Sequence, residues 1–178
     1  GSEMCIRDSP LALRLPGVIP PQQESSALVS GVDVVPTLLD AAGLDAMGMD
    51  GRSLLPLASG ETEVWRDSLM VETYGHGFGV VDIGRAIIKG PFKYVSYQRH
   101  EGELYDLEED PYELDNLIAD PDHSALLAEM KAELRIWLAQ TNDRDFDTPV
   151  TEEFLQADRQ EFEALLARRA AFRESRTR

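Results

Sequence analysis

The fold of this sequence is decided by the segment Glu103-Leu-Tyr-Asp-Leu-Glu-Glu-Asp-Pro-Tyr-Glu-Leu-Asp-Asn-Leu117. Apolar residues flank Tyr105, which is typical of a short β-strand. Asp110-Pro111 ends that strand, because proline lacks the N–H donor that a strand ladder needs. The segment therefore predicts a strand that runs into an acidic turn and then into a helix.

Three earlier segments are equally distinctive. They are Pro10-Leu-Ala-Leu-Arg-Leu-Pro-Gly-Val-Ile-Pro20, Val32-Asp-Val-Val-Pro-Thr-Leu-Leu-Asp-Ala-Ala-Gly43 and Asp50-Gly-Arg-Ser-Leu-Leu-Pro-Leu57. Together with residues 103–117, and in this order, they resemble motifs of the sulfatases, the formylglycine-dependent sulfuric ester hydrolases of the alkaline phosphatase superfamily. The resemblance runs from residue 10 to about residue 140. It implies an α/β fold: the end of an alkaline-phosphatase-like core, then a small α+β C-terminal subdomain and a helical tail.

The nucleophile motif of the sulfatases is absent from this sequence. Members of the family carry Cys or Ser in Cys/Ser-x-Pro-x-Arg and oxidise it to formylglycine. None of the ten prolines here has Cys or Ser two residues before it, and Cys5 lies in Cys-Ile-Arg-Asp-Ser. The family's acidic metal ligands lie in N-terminal segments without a counterpart here. We therefore expect no catalytic residue and no metal ligand in this chain, with calcium or another divalent cation bound elsewhere in the full-length enzyme.

Residues 1–9 are interpreted as a non-native segment. Met4-Cys-Ile-Arg-Asp-Ser9 is what one reading frame of a transposase adapter used in sequencing libraries encodes. Segments of this kind are set aside in fold reasoning. The alternative is a genuine short N-terminal arm.

Composition limits the classes of function. The 178 residues carry a formal net charge of −16, with a pI near 4.5. This acidity opposes binding to nucleic acid or to an anionic membrane, because phosphate contacts need clustered Lys and Arg. A single cysteine excludes an internal disulfide and a cysteine zinc cluster. The expected partners are a sulfated small molecule or carbohydrate and the missing N-terminal part of the same protein. The resemblance is compatible with a periplasmic or secreted protein, and the compartment stays open.

The first half of the chain is interpreted as the end of the α/β core, over residues 10–64. Residues 10–15 predict a buried strand. A helix is expected to start near Asp33, with Leu38, Leu39 and Ala42 facing inward and Gly43 just after its end. Residues 44–64 predict a loop.

Residues 65–140 are interpreted as the C-terminal subdomain. Four runs with strand character, at 68–73, 85–89, 92–97 and 103–107, are joined by turns and predict a small antiparallel sheet. Asp120 and Pro121 begin a helix that should cover one face of that sheet. Its apolar stripe consists of Leu126, Leu127, Met130, Leu134, Trp137 and Leu138. Residues 141–178 are expected to form a linker and a terminal helix over about 149–175.

His76 is the candidate substrate-binding residue. It lies in Glu72-Thr-Tyr-Gly-His-Gly-Phe-Gly79, where three glycines let the backbone approach a ligand. In the resembling family the loop after this strand reaches over the sulfate-ester pocket. The resemblance thus implies substrate contact or, nearer the ester, proton transfer. The alternative is a loop histidine without a ligand.

Other charged residues have simpler explanations. Glu72 and Asp82 are ten residues apart, so their spacing does not define a pair of carboxylates. Arg85 and Lys93 could neutralise an anionic substrate, but exposed charges at strand edges explain them as well. The acidic residues within 106–110 lack the spacing Asp-x-Asp-x-Asp-Gly of a calcium loop, which favours an acidic turn.

Two other functions stay open. One is a phosphoric or phosphonic ester hydrolase of the same superfamily, although the Glu-Leu-Tyr-Asp-Leu segment favours the sulfatase branch. The other is a non-enzymatic acidic α+β module that binds a partner protein through its final helix. Residues 10–57 argue against that module, because they make sense as part of a larger sheet and poor sense as the start of an independent domain.

Overall fold

The computed structural model describes residues 11–62, 64–73, 83–98, 101–143 and 146. Residues 1–9 and the predicted terminal helix over 149–175 lie outside this set. The chain divides into two compact units, Gly1–Asp67 and Ser68–Arg178. Within the described residues, none of the helices combines the length and the apolar character that crossing a membrane requires.

The first unit is built from short helices. A 3-10 helix, Gly31–Asp33, leads into helix α1, Val34–Ala41, and helix α2 follows at Leu55–Ser59 within the predicted loop. Asp33 caps the start of the helical segment by accepting a hydrogen bond of 2.8 Å from the backbone N–H of Ser30. The end of α1 closes with Gly43 in the left-handed region, as predicted, while the N–H of Leu44 donates to the carbonyl of Leu39 at 2.8 Å.

Two predictions for the first unit are wrong. Residues 11–15 form no strand, and Leu11 is 48% exposed. The reason is that a strand needs a partner for its N–H and C=O groups, and every strand among the described residues belongs to the second unit. Leu38 of α1 does not face inward either, since it is 63% exposed, and Ala42 is also exposed. The buried residues of α1 are Pro36 and Thr37.

The second unit contains the predicted antiparallel sheet. Its strands are β1, Ser68–Thr73; β2, Gly84–Lys89; β3, Phe92–Tyr97; and β4, Glu103–Asp106. They lie in the order β1-β2-β3-β4, so β2 and β3 are the central strands. Gly90-Pro91 joins β2 to β3 in a tight hairpin, in which Gly90 has a φ of 56° and Lys89 pairs with Phe92.

Helix α3, Ser124–Thr141, covers one face of this sheet as predicted. Met130 and Leu134 are buried against Ile87, Tyr94 and Leu104. The rest of the predicted stripe packs around this core: Leu126, Leu127, Trp137 and Leu138. Burial of this apolar surface is the main favourable contribution to the stability of the unit.

The start of α3 is displaced slightly from its predicted position. Asp120 caps a 3-10 helix, Pro121–His123, and α3 continues from it. The Asp120 carboxylate accepts from the N–H of Asp122 at 3.0 Å and lies 2.9 Å from Nδ1 of His123. These contacts hold the pKa of Asp120 below its ordinary value, the backbone hydrogen bond from Asp122 having the largest effect.

Candidate functional site

The candidate functional site is the end of the sheet at which β1 finishes and β2 starts. Thr73 pairs with Gly84 there, and residues 74–82, which contain His76, connect the two strands along the chain. His76 and Asp82 lie outside the described residues. The predicted substrate contact of His76 therefore stays a prediction.

Arg85 lies at this end of the sheet, but its surroundings match neither of the two explanations that the sequence suggested for it. It sits on β2, a central strand, and its side chain is fully buried. Its Nε lies 2.5 Å from Oδ2 of Asp143 and its Nη2 lies 3.3 Å from Oδ1. Glu72 is more distant, with Oε1 at 3.9 Å from Nε. Arg85 is thus a buried cation paired with a carboxylate. The prediction of an exposed charge at a strand edge is wrong for it, and so is the prediction of a charge that neutralises the substrate.

Lys93 is also a paired residue of a central strand. It lies on β3, its ammonium forms an ion pair with Glu113, and it lies 5.9 Å from the ring centre of Tyr105. Its side chain is mostly buried, so the explanation as an exposed edge charge is wrong here too.

Burial raises the pKa of Tyr105, and the nearby Glu103 carboxylate adds to the increase.

The acidic segment after β4 is a turn, as predicted. Asp106 accepts from the N–H groups of Glu108 and Glu109 at 3.0 and 3.2 Å. Asp110 accepts from the N–H groups of Leu114 and Asp115 at 2.7 and 2.9 Å. These carboxylates cap the backbone of their own turn. Across the described part of the chain, no three His, Cys, Asp or Glu side chains come together as a metal site would require.

Asn116 joins this turn to the sheet. Its Oδ1 accepts from the N–H of Leu104 on β4 and from the N–H of Ile118, both at 3.0 Å. Nδ2 lies 3.5 Å from the carbonyl oxygen of Gly102. Asn116 therefore ties the two ends of the segment 103–117 together, and the side chains of Asp106, Asp110 and Asn116 all have structural roles in it.

Asp33 organises the first unit, whereas the sequence indicated only that a helix starts near it. Arg66 binds its carboxylate in a bidentate geometry, with Nη1–Oδ2 at 2.6 Å and Nη2–Oδ1 at 2.7 Å. The N–H groups of Arg52 and Ser30 supply two further hydrogen bonds, at 2.9 and 2.8 Å. Burial acts to raise the pKa of Asp33, but these four hydrogen bonds outweigh it and hold the pKa below 3.8.

The two motifs of the first unit are tied to each other. Thr37 on α1 accepts from the N–H of Leu54 at 2.9 Å and donates to the carbonyl of Asp33 at 2.6 Å. Ser53 donates to the carboxylate of Asp40 at 2.5 Å. A Cβ on Gly51 would lie 2.0 Å from the carbonyl oxygen of Val32, so only glycine fits. The segments 32–43 and 50–57 thus form one hydrogen-bonded unit.

The described residues form a framework. Polar groups of the distinctive segments accept or donate hydrogen bonds within the chain, as Asp33, Thr37, Asp110 and Asn116 do. No signal in a single sequence would have shown the pairing of Asp33 with Arg66 or of Arg85 with Asp143, because each joins residues far apart along the chain. One unit of this framework is a four-stranded antiparallel sheet covered by one helix, and the other is a small helical unit.

The chain belongs to the sulfatase family. Residues 3–140 match the family model described as N-sulphoglucosamine sulphohydrolase, C-terminal. Human N-acetylglucosamine-6-sulfatase is 46% identical over 76 residues, which is 41% of this chain and 14% of the human protein.

Two solved structures have a similar fold. One was solved in complex with its substrate D-glucosamine-2-N,6-O-disulfate. It is 28% identical to this chain with a TM-score of 0.70, and the match covers 77% of this chain and 29% of the solved chain. The phosphonate monoester hydrolase of Agrobacterium radiobacter is 32% identical with a TM-score of 0.52, over 64% of this chain and 26% of its own. The chain thus spans less than a third of the length of each of these proteins.

Proposed function

We propose that this chain is the C-terminal part of a carbohydrate sulfatase, which hydrolyses a sulfate ester with a formylglycine and a metal held by the preceding part of the same polypeptide. The match of residues 3–140 to the sulfatase family is the observation that carries the proposal. The described residues support it, because the segments that resemble sulfatase motifs are held together by hydrogen bonds within each unit, such as those of Thr37 and of Asn116. In this proposal, residues 10–64 complete the core and residues 65–140 form the wall of the substrate cleft.

The divalent cation belongs to the proposed full-length enzyme. Asp33, Asp106 and Asp110 do not fit such a cation, because Asp33 pairs with Arg66 and the other two cap backbone N–H groups. When bound, a divalent cation supplies Lewis-acid stabilisation of developing negative charge. The contribution of this chain is to shape the cleft and to orient the substrate.

The substrate that we propose is a carbohydrate with a sulfate on O6 of glucosamine. The sugar sulfates named for two similar proteins support this choice. One is human N-acetylglucosamine-6-sulfatase, and the other was solved with D-glucosamine-2-N,6-O-disulfate. We propose that His76 contacts this sugar as a specificity residue.

The preceding part of the polypeptide is the proposed partner of the first unit. Helix α1 exposes Val34, Leu38 and Ala41, which are spaced by four and three residues and therefore share one face. Val35 beside them is 52% exposed. An apolar helix face of this kind normally packs against another layer of a domain.

The activity of the complete polypeptide tests the proposal. The chain is joined to its own upstream sequence and assayed with N-acetylglucosamine-6-sulfate and with an aryl sulfate. We expect turnover of the sugar sulfate that is lost on chelation of divalent metal, and no turnover by the 178-residue chain alone. Absence of sulfatase activity in a folded complete protein containing Cys/Ser-x-Pro-x-Arg would overturn the proposal.

A phosphonic ester hydrolase is the second candidate function. The similarity to the phosphonate monoester hydrolase of Agrobacterium radiobacter favours it. The same protein is therefore assayed with an aryl phosphonate monoester. A kcat/KM for the phosphonate above that for every sulfate ester would choose this candidate over the sulfatase.

His76 has its own test in that protein. If His76 binds the sugar in both the ground state and the transition state, His76→Ala raises KM and leaves kcat nearly unchanged. If it transfers a proton to the leaving group, kcat falls by roughly 10²–10⁴. Unchanged values of both constants would show that His76 has no contact with substrate.

A further inference from the structure

The loop that follows α1 is held at both of its ends by the helix. Where α1 ends, the N–H of Gly43 donates to the carbonyl of Asp40 at 2.9 Å, and Gly43 lies in the left-handed region. On the far side of the loop, the N–H of Arg52 donates to Oδ1 of Asp33, at the start of α1, at 2.9 Å. Residues 44–50 therefore leave the end of the helix and return to its beginning.

Exposed apolar side chains are concentrated on this helix and its loop, which we call the α1–loop surface (residues 34–50). Among the described residues, fifteen large apolar residues are exposed, and seven of them lie between residues 32 and 49. On the loop, Met47 is 84% exposed and Leu44 is 60% exposed, close to the value for Leu38 on the helix. Exposed apolar residues that are scattered singly need no explanation, but a concentration of this kind marks an interaction surface.

The charge of this part of the chain excludes an anionic occupant. Residues 15–51 contain five acidic residues and no Lys or Arg. A sulfated sugar or an anionic membrane would meet only negative charge here, and like charges repel. The occupant of the α1–loop surface therefore has to be an apolar protein surface.

A protein of the length of the relatives supplies such a surface. The match to the protein solved with its glucosamine disulfate covers 29% of the solved chain. The proposed preceding part of the polypeptide is thus larger than this chain, and a domain of that size covers apolar surface that a smaller piece leaves exposed.

We propose that Met47 is an anchor residue, whose side chain inserts into an apolar pocket of the preceding part of the same polypeptide. The unbranched thioether adapts to an irregular apolar pocket. Because the loop is held at both ends, it presents Met47 with little conformational freedom left to lose on binding. This inference rests on the proposed function, and it extends the proposed contact of α1 to the loop that follows it.

Oxidation of Met47 tests whether the α1–loop surface is covered, and it needs no enzyme activity. Hydrogen peroxide converts an accessible methionine to its sulfoxide, and mass spectrometry of peptides measures the rate at each site. Met47 should be oxidised rapidly in the 178-residue chain and at least about ten-fold more slowly in the complete polypeptide. Met130, which is 1% exposed, is the internal control and should be oxidised slowly in both proteins.

Equal oxidation rates of Met47 in the two folded proteins would overturn the inference. Unfolding the complete polypeptide in urea should restore fast oxidation, which attributes the protection to the fold. A second copy of the chain is the alternative occupant. If Met47 is protected only at concentrations at which the complete polypeptide dimerises in analytical ultracentrifugation, the surface belongs to that second copy and the inference fails.

Substitution of Met47 tests the anchor itself. In the complete polypeptide, Met47→Gln places a polar amide in an apolar pocket and should lower the urea midpoint. Met47→Leu keeps the apolar volume and should leave the midpoint nearly unchanged. In the 178-residue chain neither substitution should move the midpoint, because the side chain of Met47 is in contact with water.

Ile136→Gln, on the exposed side of α3, is the matched control and should have little effect in either protein. An unmoved midpoint for Met47→Gln in the complete polypeptide would contradict the inference. If the complete polypeptide hydrolyses no sulfate ester, the proposed function fails, while the oxidation rate of Met47 still decides whether the α1–loop surface is covered.

Discussion

Arg66 binds the carboxylate of Asp33 through both terminal nitrogens, at 2.6 and 2.7 Å, although the two residues are 33 positions apart. The side chain of Asp33 is completely buried and that of Arg66 is 9% exposed. The contact joins the start of α1 to the end of the first unit. Trp65 strengthens the same connection, because its Nε1 donates to the carbonyl of Leu28 at 2.7 Å.

Replacement of Asp33 should strongly destabilise the first unit. Asp33→Asn leaves the buried guanidinium of Arg66 without its counter-charge, and breaking a buried pair in this way costs about 3–5 kcal/mol. The measurement is a urea melt followed by Trp65 fluorescence in a Trp137→Phe background, where Trp65 is the single tryptophan. Asp45→Asn, an exposed carboxylate of the same unit, should change the free energy of unfolding by less than about 0.5 kcal/mol. Equal effects of the two variants would contradict a structural role of the pair.

Acid should unfold the first unit by protonating the same carboxylate. The folded-state pKa of Asp33 is depressed below 3.8, so the unfolded chain binds the proton more readily than the folded chain. The contribution to stability is therefore complete above about pH 4 and is lost as the pH falls through the folded-state pKa. Urea midpoints measured between about pH 6 and pH 2 should fall more steeply for the wild type than for Asp33→Asn. Parallel curves would show that Asp33 does not cause the acid dependence.

Trp137 should stabilise the second unit by packing and by one hydrogen bond. It packs against the core under α3, and its Nε1 donates to Oγ of Ser68 at 2.9 Å. Trp137→Ala should cost about 3 kcal/mol, toward the lower end for a large aromatic residue because the ring is only half-buried. Trp137→Phe removes mainly the hydrogen bond and should cost about 1 kcal/mol. Circular dichroism in urea measures both values, and Ile136→Ala, on the exposed side of the helix, serves as the control.

Asn116 should act through its acceptor oxygen and not through its amide donor. Asn116→Ala leaves the N–H groups of Leu104 and Ile118 without that acceptor, which should cost about 1–3 kcal/mol. Asn116→Asp keeps the shape and the acceptor and should cost clearly less. A urea melt distinguishes the two variants. An equal loss for both would mean that the donor contact of Asn116 with Gly102 is the important one.

Local patterns predicted the second unit well, and long-range contacts explain where prediction failed. The four strands and the stripe on α3 follow from alternation, turn residues and helical spacing, all of which are local in sequence. The pairing of Arg85 with Asp143 spans 58 residues and leaves no local trace. Leu38 was predicted to be buried because an apolar residue on an amphipathic helix usually is. Its exposure depends on which surfaces lie beside α1, and a single sequence does not contain that information.

The exposed face of α1 should be replaceable without loss of stability. Leu38 is 63% exposed, so Leu38→Gln removes apolar surface from contact with water and should change the free energy of unfolding of this chain by less than about 0.5 kcal/mol. The variant should also bind less of a fluorescent apolar dye and aggregate more slowly, because exposed apolar patches drive both processes. Leu54→Ala is the matched control, since Leu54 is 2% exposed and its truncation should cost about 2–5 kcal/mol and increase dye binding. In the complete polypeptide, Leu38→Gln should instead lower the free energy of unfolding by about 1–3 kcal/mol. The reason is that the face of α1 is proposed to pack against the preceding part of the protein, where the substitution would bury a polar amide. A neutral effect of Leu38→Gln in both proteins would show that this face packs against neither part of the chain.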